Sequence, residues 1–203
     1  MIKKKFLPLL LNWYEHSKRD LPFRNTVNPY FIWLSEIILQ QTRVNQGLPF
    51  YYKFVELFPT VEDLASADEQ QVLKAWQGLG YYSRARNLHF TANFVVHHLD
   101  GVFPTSYKEL IKLKGIGDYT ASAIASFSSK EVVPVLDGNV YRFVGRLYGI
   151  EAFINTPKAV KEFKVVLNDL IDNKQPDIFN QAMIEFGALH CTPVNPLCDS
   201  CPF

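Results

Sequence analysis

The sequence predicts an all-α protein folded as two helical lobes. Three observations carry that expectation. Apolar residues recur at helical spacing along most of the chain. Cap residues, glycines and prolines punctuate it at intervals that suit about ten short helices. Strand signals are scarce: the one candidate, "EVVPVL" from Glu131 to Leu136, contains Pro134, which has no N–H for a ladder. No internal repeat, low-complexity segment or flexible linker interrupts the pattern. We expect the chain to leave a first lobe after its early helices, build a central lobe over about residues 22–130, and return with its last helices. Residues 1–21 and 131–203 form the second lobe, and a cleft separates the two.

The elements follow in order. "FLPLLLNWYEHS" reads as an amphipathic helix with Pro8 in its first turns. "NPYFIWLSEIILQQTRVNQ" starts with Asn28 as cap and Pro29 at the first helical position. Its apolar residues Ile32, Trp33, Ile37 and Val44 need not share one stripe, so this helix is expected to be deeply buried. "TVEDLASA" opens on Thr60 with an acidic first turn, a capped short helix. "DEQQVLKAW" is another. "SRARNLHFTANFVVHHL" is long and stops before Asp100-Gly101. "SYKELIKL" is short and ends at Gly115. "DYTASAIASFS" is rich in small residues. "NVYRFVGRLYGI", "TPKAVKEFKVVLNDLI" and "PDIFNQAMIEFGALH" complete the set.

Composition is ordinary for a globular chain: 48% hydrophobic and 20% charged in 203 residues, enough for a sizeable core. No apolar run is long enough to span a membrane. The basic start "MIKKKFLPLLLNWYEHSKRD" lacks the small-residue cleavage site of a signal peptide, so a cytoplasmic protein is expected. The net charge of +1 does not by itself announce a nucleic-acid binder. Basic residues do gather locally, at Lys3, Lys4, Lys5, Lys18, Arg19 and Arg24, and again at Arg84, Arg86, Lys108, Lys112 and Lys114. Charge alone leaves a one-sided basic face and a scatter of solvated lysines equally open.

Five stretches carry candidate chemistry. In "KLKGIGDYTASAI", Gly115-Ile116-Gly117 joins two helices. Glycines there allow a tight turn and close approach, and the second helix offers free N–H groups and a positive dipole end, which suit a phosphate. The stretch reads as a helix-hairpin-helix that grips DNA backbone without reading sequence, or as a simple tight turn. In "VLDGNVYR", Asp137-Gly138 resembles a hairpin turn, but Val140, Phe143, Val144 and Leu147 are spaced for a helix. Asp137 or Asn139 is then its N-cap. In "WLSEIILQQT", Glu36 sits mid-helix among apolar residues; burial would suit it to general acid work, and a salt-bridged Glu is the plainer alternative. In "WQGLGYYSRARNL", Tyr81 and Tyr82 beside Arg84 and Arg86 suit base stacking with phosphate contact, or ordinary packing. In "CTPVNPLCDSCPF", Cys191, Cys198 and Cys201 have the spacing Cys-x6-Cys-x2-Cys. An odd clustered set points to zinc or an iron–sulfur cluster rather than disulfides.

Taken together and in order, "LSEIILQQTRV", "GLGYYSRARNL", "LKGIGDYTASAI", "VLDGNVYR", "FNQAMIEFGALHC" and the cysteine spacing resemble the helix-hairpin-helix DNA glycosylase superfamily. More closely, they resemble its A/G-specific adenine DNA glycosylase (MutY-type) family, over almost the whole chain. The resemblance implies a base-flipping, monofunctional base-excision-repair enzyme that removes adenine mispaired with 8-oxoguanine or guanine from double-stranded DNA. It implies a six-helix barrel-like central lobe carrying the helix-hairpin-helix, and an enzyme that acts as a monomer with DNA in the cleft. It implies that Glu36 protonates adenine N7 and that Asp137 stabilises the cationic sugar, a division of labour parallel to sugar hydrolysis. Tyr119 would assist near the sugar and Asn139 would orient the carboxylates. Gln181 would contact the flipped adenine, with Arg24 near the base pocket. Gln41 and Tyr81 would wedge into the duplex, while Gly115, Gly117, Tyr119 and Thr120 would meet the DNA backbone.

The sister endonuclease III-like glycosylase/lyases carry Lys where this chain has Tyr119, so efficient strand cleavage is not expected. A non-catalytic helix-hairpin-helix DNA-binding module is the other alternative. Family members also carry a fourth cysteine five residues beyond the third, and a C-terminal domain that helps recognise 8-oxoguanine. Neither is among these residues. The resemblance therefore implies a catalytic-region fragment. Its full-length relative holds a 4Fe–4S cluster on Cys191, Cys198, Cys201 and the missing fourth ligand. The cluster would be absent or incomplete here, and discrimination for 8-oxoguanine weakened.

Overall fold

Among the described residues, side-chain caps mark where six of the helices begin. The computed structural model describes residues 2–154 and 156–203, with residues 2–4 as backbone alone, so the side chains of Lys3 and Lys4 lie outside it. Among the described residues there are eleven α-helices, two 3₁₀ turns and no strand. No helix is long and apolar enough to cross a membrane. The chain divides into two compact units: residues up to Asp20 together with Lys130–Phe203, and Leu21–Ser129.

The Leu21–Ser129 unit begins with a 3₁₀ turn, Pro22–Arg24, and carries α2 (Pro29–Ile38), α3 (Val44–Leu57), α4 (Val61–Ser66), α5 (Glu69–Trp76), α6 (Ser83–His98), α7 (Tyr107–Leu110) and α8 (Asp118–Ser129). That is seven helices where six were anticipated, α7 being a single turn. Asn28 caps α2 by accepting from the Tyr30 N–H at 2.9 Å, with Pro29 at the first position. Thr60 and Asp68 each close a reciprocal capping box, with Asp63 and Gln71. The α2 helix is buried nearly all round: Ile32, Trp33, Leu34, Ile37 and Ile38 are in the core. It packs on α8, whose Ala121, Ser122, Ala125 and Ser126 are small enough to admit a bulky neighbour closely. Each fully buried Leu, Ile or Phe contributes about 1.5–3 kcal/mol, which makes α2 the axis of this unit.

One element departs from expectation. The stretch read as a single helix from Pro29 through Gln46 is two: α2 ends at Ile38, and α3 starts at Val44. Gly47 lets α3 pack tightly beside the end of α2. A Cβ there would lie 2.7 Å from Leu39 and 3.3 Å from Ile38.

The other unit holds α1 (Ile2–Ser17), α9 (Gly138–Tyr148), α10 (Pro157–Leu170), α11 (Pro176–Leu189) and a 3₁₀ turn at Cys198–Ser200. The α1 helix begins six residues before Pro8, which puts that proline in its second turn. Phe6, Leu10, Tyr14, Val140, Phe143, Phe163, Phe179, Met183 and Phe186 form one cluster. Trp13 meets Phe186 edge-on at 4.7 Å, and Phe203 packs on Phe6, Phe143 and Phe186 at 5.0, 5.3 and 5.1 Å. The segment "EVVPVL" is extended but pairs with no strand. Asn180 of α11 takes the place of one: its Oδ1 accepts from the Val135 N–H at 3.1 Å and its Nδ2 donates to the Val133 carbonyl at 2.8 Å.

Candidate active-site residues

Asp137 is the residue around which the first set is built. The extended run held by Asn180 delivers it to the start of α9, where it is the N-cap. Its Oδ1 accepts from the Val140 N–H at 2.8 Å, and its Oδ2 accepts from Asn139 Nδ2 at 2.8 Å. Burial pushes its pKa above the usual 3.8. The Val140 and Asn139 hydrogen bonds, and then the Arg142 charge, oppose that shift without cancelling it. The carboxylate is therefore held in place while half-buried.

Asn139 is fixed from its other end. Its Oδ1 accepts from Arg142 Nη2 at 2.8 Å, which assigns the amide so that the NH₂ faces Asp137. Arg142 in turn donates to the Gly187 carbonyl at 2.6 Å and to the Cys191 carbonyl at 2.7 Å. Gly187 makes this closeness possible: a Cβ there would stand 2.5 Å from the Asn139 carbonyl oxygen. Neither Arg142 nor Gly187 stood out in the sequence. The available signal was an isolated glycine inside the helical run "FNQAMIEFGALH".

Gln181, on α11, is buried, and its Oε1 accepts from the Tyr14 hydroxyl at 2.8 Å. One turn on, Glu185 is fully buried and receives Arg19 through Nε at 2.7 Å, Nη2 at 2.8 Å and the Arg19 N–H at 3.1 Å. This bidentate bond holds the Arg19 pKa up.

The remaining candidates belong to the Leu21–Ser129 unit. Glu36 is half-buried on α2 between buried Ser35 and Ile37. Arg24 is half-buried at the end of the first 3₁₀ turn. Gln41 is exposed in the break between α2 and α3, in a left-handed conformation at φ 54°. Tyr81 is 66% exposed and likewise left-handed at φ 48°.

Gly115-Ile116-Gly117 lies between α7, which ends at Leu110 rather than running on to Leu113 as read from "SYKELIKL", and α8, which starts at Asp118. Gly115 has φ 81°, and a Cβ on it would come within 2.9 Å of Asn87. Ile116 is buried and pins the turn. Gly117 has open space where a Cβ would go. Tyr119 is half-buried in the first turn of α8, and buried Thr120 accepts from Gln40 Nε2 at 3.4 Å. Tyr107 donates to Asp118 Oδ1 at 2.6 Å, and that bond pushes the Tyr107 hydroxyl up to about 12.

The three cysteines are free thiols. Among the described residues, no group of three or more His, Cys, Asp or Glu is arranged to hold a metal ion. Cys191 and Cys201 pack against the aromatic cluster, and Cys198 is exposed. Arg146 donates to Cys191 Sγ at 3.4 Å and to the Thr192 carbonyl at 2.8 Å in this loop. A four-thiolate iron–sulfur cluster needs one more thiolate than this chain has and a closer gathering of the three.

Residues 34–168 match the family model described as HhH-GPD superfamily base excision DNA repair protein. The adenine DNA glycosylase of Buchnera aphidicola subsp. Baizongia pistaciae (strain Bp) is 42% identical over 198 residues, covering 97% of this chain and 56% of that protein. The adenine DNA glycosylase of Rattus norvegicus is 42% identical over 202 residues, covering 95% of this chain and 39% of that protein. The chain thus spans little more than half the length of such relatives, or less. A thermostable thymine-DNA glycosylase structure superposes with a TM-score of 0.90 at 26% identity, over 98% of this chain and 92% of that one. A non-covalent endonuclease III–DNA complex shares the fold with a TM-score of 0.82 at 22% identity, over 100% and 93%.

Proposed function

The chain belongs to the HhH-GPD superfamily of base excision DNA repair proteins, and from that premise we propose that it removes adenine from A:8-oxoguanine and A:G mispairs. The reaction is hydrolysis of the N-glycosidic bond. The observation that carries the reading is Asp137: a desolvated carboxylate at a helix start, gripped on both oxygens. The likeness to adenine DNA glycosylases over 97% of the chain supports adenine as the base.

Glu36 donates a proton to adenine N7, so that the base leaves as a neutral molecule when the C1′–N9 bond breaks and its electrons go to the base. The sugar is left as an oxocarbenium-like cation. Asp137, oriented by Asn139, stabilises that charge where it develops. Water then adds to C1′ and gives up a proton. Gln181 contacts the extruded adenine, with Arg24 near its pocket. Gln41 and Tyr81 enter the duplex where the base has left. The hairpin at Gly115–Gly117, with Tyr119 and Thr120, meets the phosphate backbone. Tyr119 has no amine to form a Schiff base, which favours a glycosylase without lyase activity over a bifunctional enzyme.

Single-turnover reactions on an A:8-oxoguanine duplex and on a thymine-glycol duplex, scored separately for base loss and strand cleavage, test this. The expected result is adenine loss without strand cleavage. Thymine-glycol excision with cleavage would replace the reading with the lyase class; binding with no base loss would replace it with a DNA-binding module.

A further inference from the structure

Among the described residues, five non-glycine residues have left-handed backbone: Gln41, Tyr81, Asp100, Lys130 and Asn195. Asp and Asn tolerate that region through short polar side chains; it is less usual for Gln, Tyr and Lys, and of these Gln41 and Tyr81 flank one shared contact. One side chain reaches the backbone directly before both. Arg84, in the first turn of α6, is buried at 8% exposure, and its hydrogen bonds go to carbonyl and hydroxyl oxygens. Its Nη1 donates to the carbonyls of Ile37 at 3.2 Å, Ile38 at 3.0 Å and Gln40, and to Thr42 Oγ1 at 3.2 Å. Its Nη2 donates to the carbonyls of Leu79 and Gly80, both at 3.3 Å. The two arms of one guanidinium thus hold the carbonyls immediately before Gln41 and immediately before Tyr81.

The rest of the arrangement reinforces the grip. The Ile37 and Ile38 carbonyls are among those α2 leaves without helical partners, and a cation is favoured at that end. Trp76 Nε1 donates to the same Gly80 carbonyl at 2.9 Å. The guanidinium lies 5.0 Å from the Trp76 ring and 5.7 Å from the Tyr81 ring. A lysine keeps the charge but has no planar fork to span two loops.

We propose that Arg84 is a positioning residue that locks Gln41 and Tyr81 into one matched pair, so that both enter the duplex together. This rests on the reading of Gln41 and Tyr81 as duplex-entering residues. Arg84 touches neither base nor sugar in this role. Its contribution is the energy of opening the duplex, so it matters only when the adenine starts stacked and paired.

The test compares the wild type with Arg84→Lys on two duplexes. One carries adenine paired opposite 8-oxoguanine; the other carries adenine opposite an abasic site, already loosened. Single-turnover excision is measured on both, 2-aminopurine emission beside the target reports unstacking, and thermal unfolding checks the fold. Arg84→Lys is expected to excise paired adenine about 100-fold more slowly, as a misplacement of roughly 1 Å in positioning groups does. Unstacking slows in parallel, and most of the loss is recovered on the loosened duplex. Wild-type rates on the paired duplex, or equal losses on both duplexes in a folded variant, would overturn the proposal.

Should Arg84→Lys fail to fold, Thr42→Val removes only one of the six acceptors and gives the same substrate pattern in smaller degree; no difference from wild type on either duplex would again overturn it. A wild type that excises adenine from neither duplex refutes the glycosylase reading instead. Slowed 2-aminopurine unstacking by Arg84→Lys then still decides for Arg84, and unchanged unstacking decides against it.

Discussion

Replacing Asp137 by Asn separates the structural and chemical uses of one carboxylate. As N-caps Asn and Asp are nearly equivalent, so the bond from the Val140 N–H survives through the retained Oδ1. The new NH₂ faces the NH₂ of Asn139, and that lost hydrogen bond costs about 1 kcal/mol. Relief of the buried charge offsets it, because burial is the dominant influence on the Asp137 carboxyl. The net change in unfolding free energy is expected within about 1 kcal/mol of zero.

The sign with pH follows from the raised folded pKa. The folded state binds the proton more tightly than the unfolded chain. Wild-type stability therefore declines as pH rises from the usual carboxylate value of 3.8 through the folded value, then levels off. The Asn variant lacks that decline, so its stability relative to wild type improves across this window. Excision should meanwhile fall by about 10²–10³ or more, the usual cost of removing a preorganised group at a developing charge. Urea unfolding between pH 4 and pH 7, beside single-turnover excision, reads both quantities. A loss of several kcal/mol would make the carboxylate a structural group, and near-wild-type excision would remove it from the chemistry.

Other expectations are local. Gly117→Ala should leave stability within about 0.5 kcal/mol, since nothing stands where its Cβ goes, yet weaken duplex binding measured by anisotropy, because the backbone must approach phosphate there. Gly115→Ala should cost more than about 1 kcal/mol in unfolding experiments, from its positive φ and the Asn87 contact. Gly187→Ala should cost about 1–3 kcal/mol and slow excision with little change in DNA affinity, because it pushes α11 off the Asn139 backbone. Arg19→Ala should destabilise by about 3 kcal/mol in urea titrations by leaving buried Glu185 without its guanidinium; a change under 0.5 kcal/mol would show that the pair contributes little.

Local rules served well where local chemistry decides. Asn28 and Thr60 cap the helices they were expected to cap, and Asp137 rather than Asn139 caps α9. Gly115 turns the hairpin because only a glycine sits easily at its φ. The failures share a different cause. "LQQTRVN" has no glycine or proline to stop a helix, so the stretch reads as continuous. The break is instead held by Arg84, forty-four positions beyond Gln40. Val133 and Val135 lack a strand partner because Asn180, on α11, serves as one. Arg142 looks like a solvated helix residue until its targets, Asn139, Gly187 and Cys191, are known. A side chain's type can be read from sequence, but the carbonyl it reaches across the fold cannot.

The central claim is that adenine leaves after protonation at N7 by Glu36, under a charge held by Asp137. The most direct measurement is single-turnover excision from two duplexes that differ in one atom of the target base: adenine, and 7-deazaadenine, where a C–H replaces N7. The account predicts comparable binding of the two duplexes and excision of 7-deazaadenine slower by about 10²–10⁴, the usual worth of general acid catalysis. Excision of both bases at similar rates would contradict it.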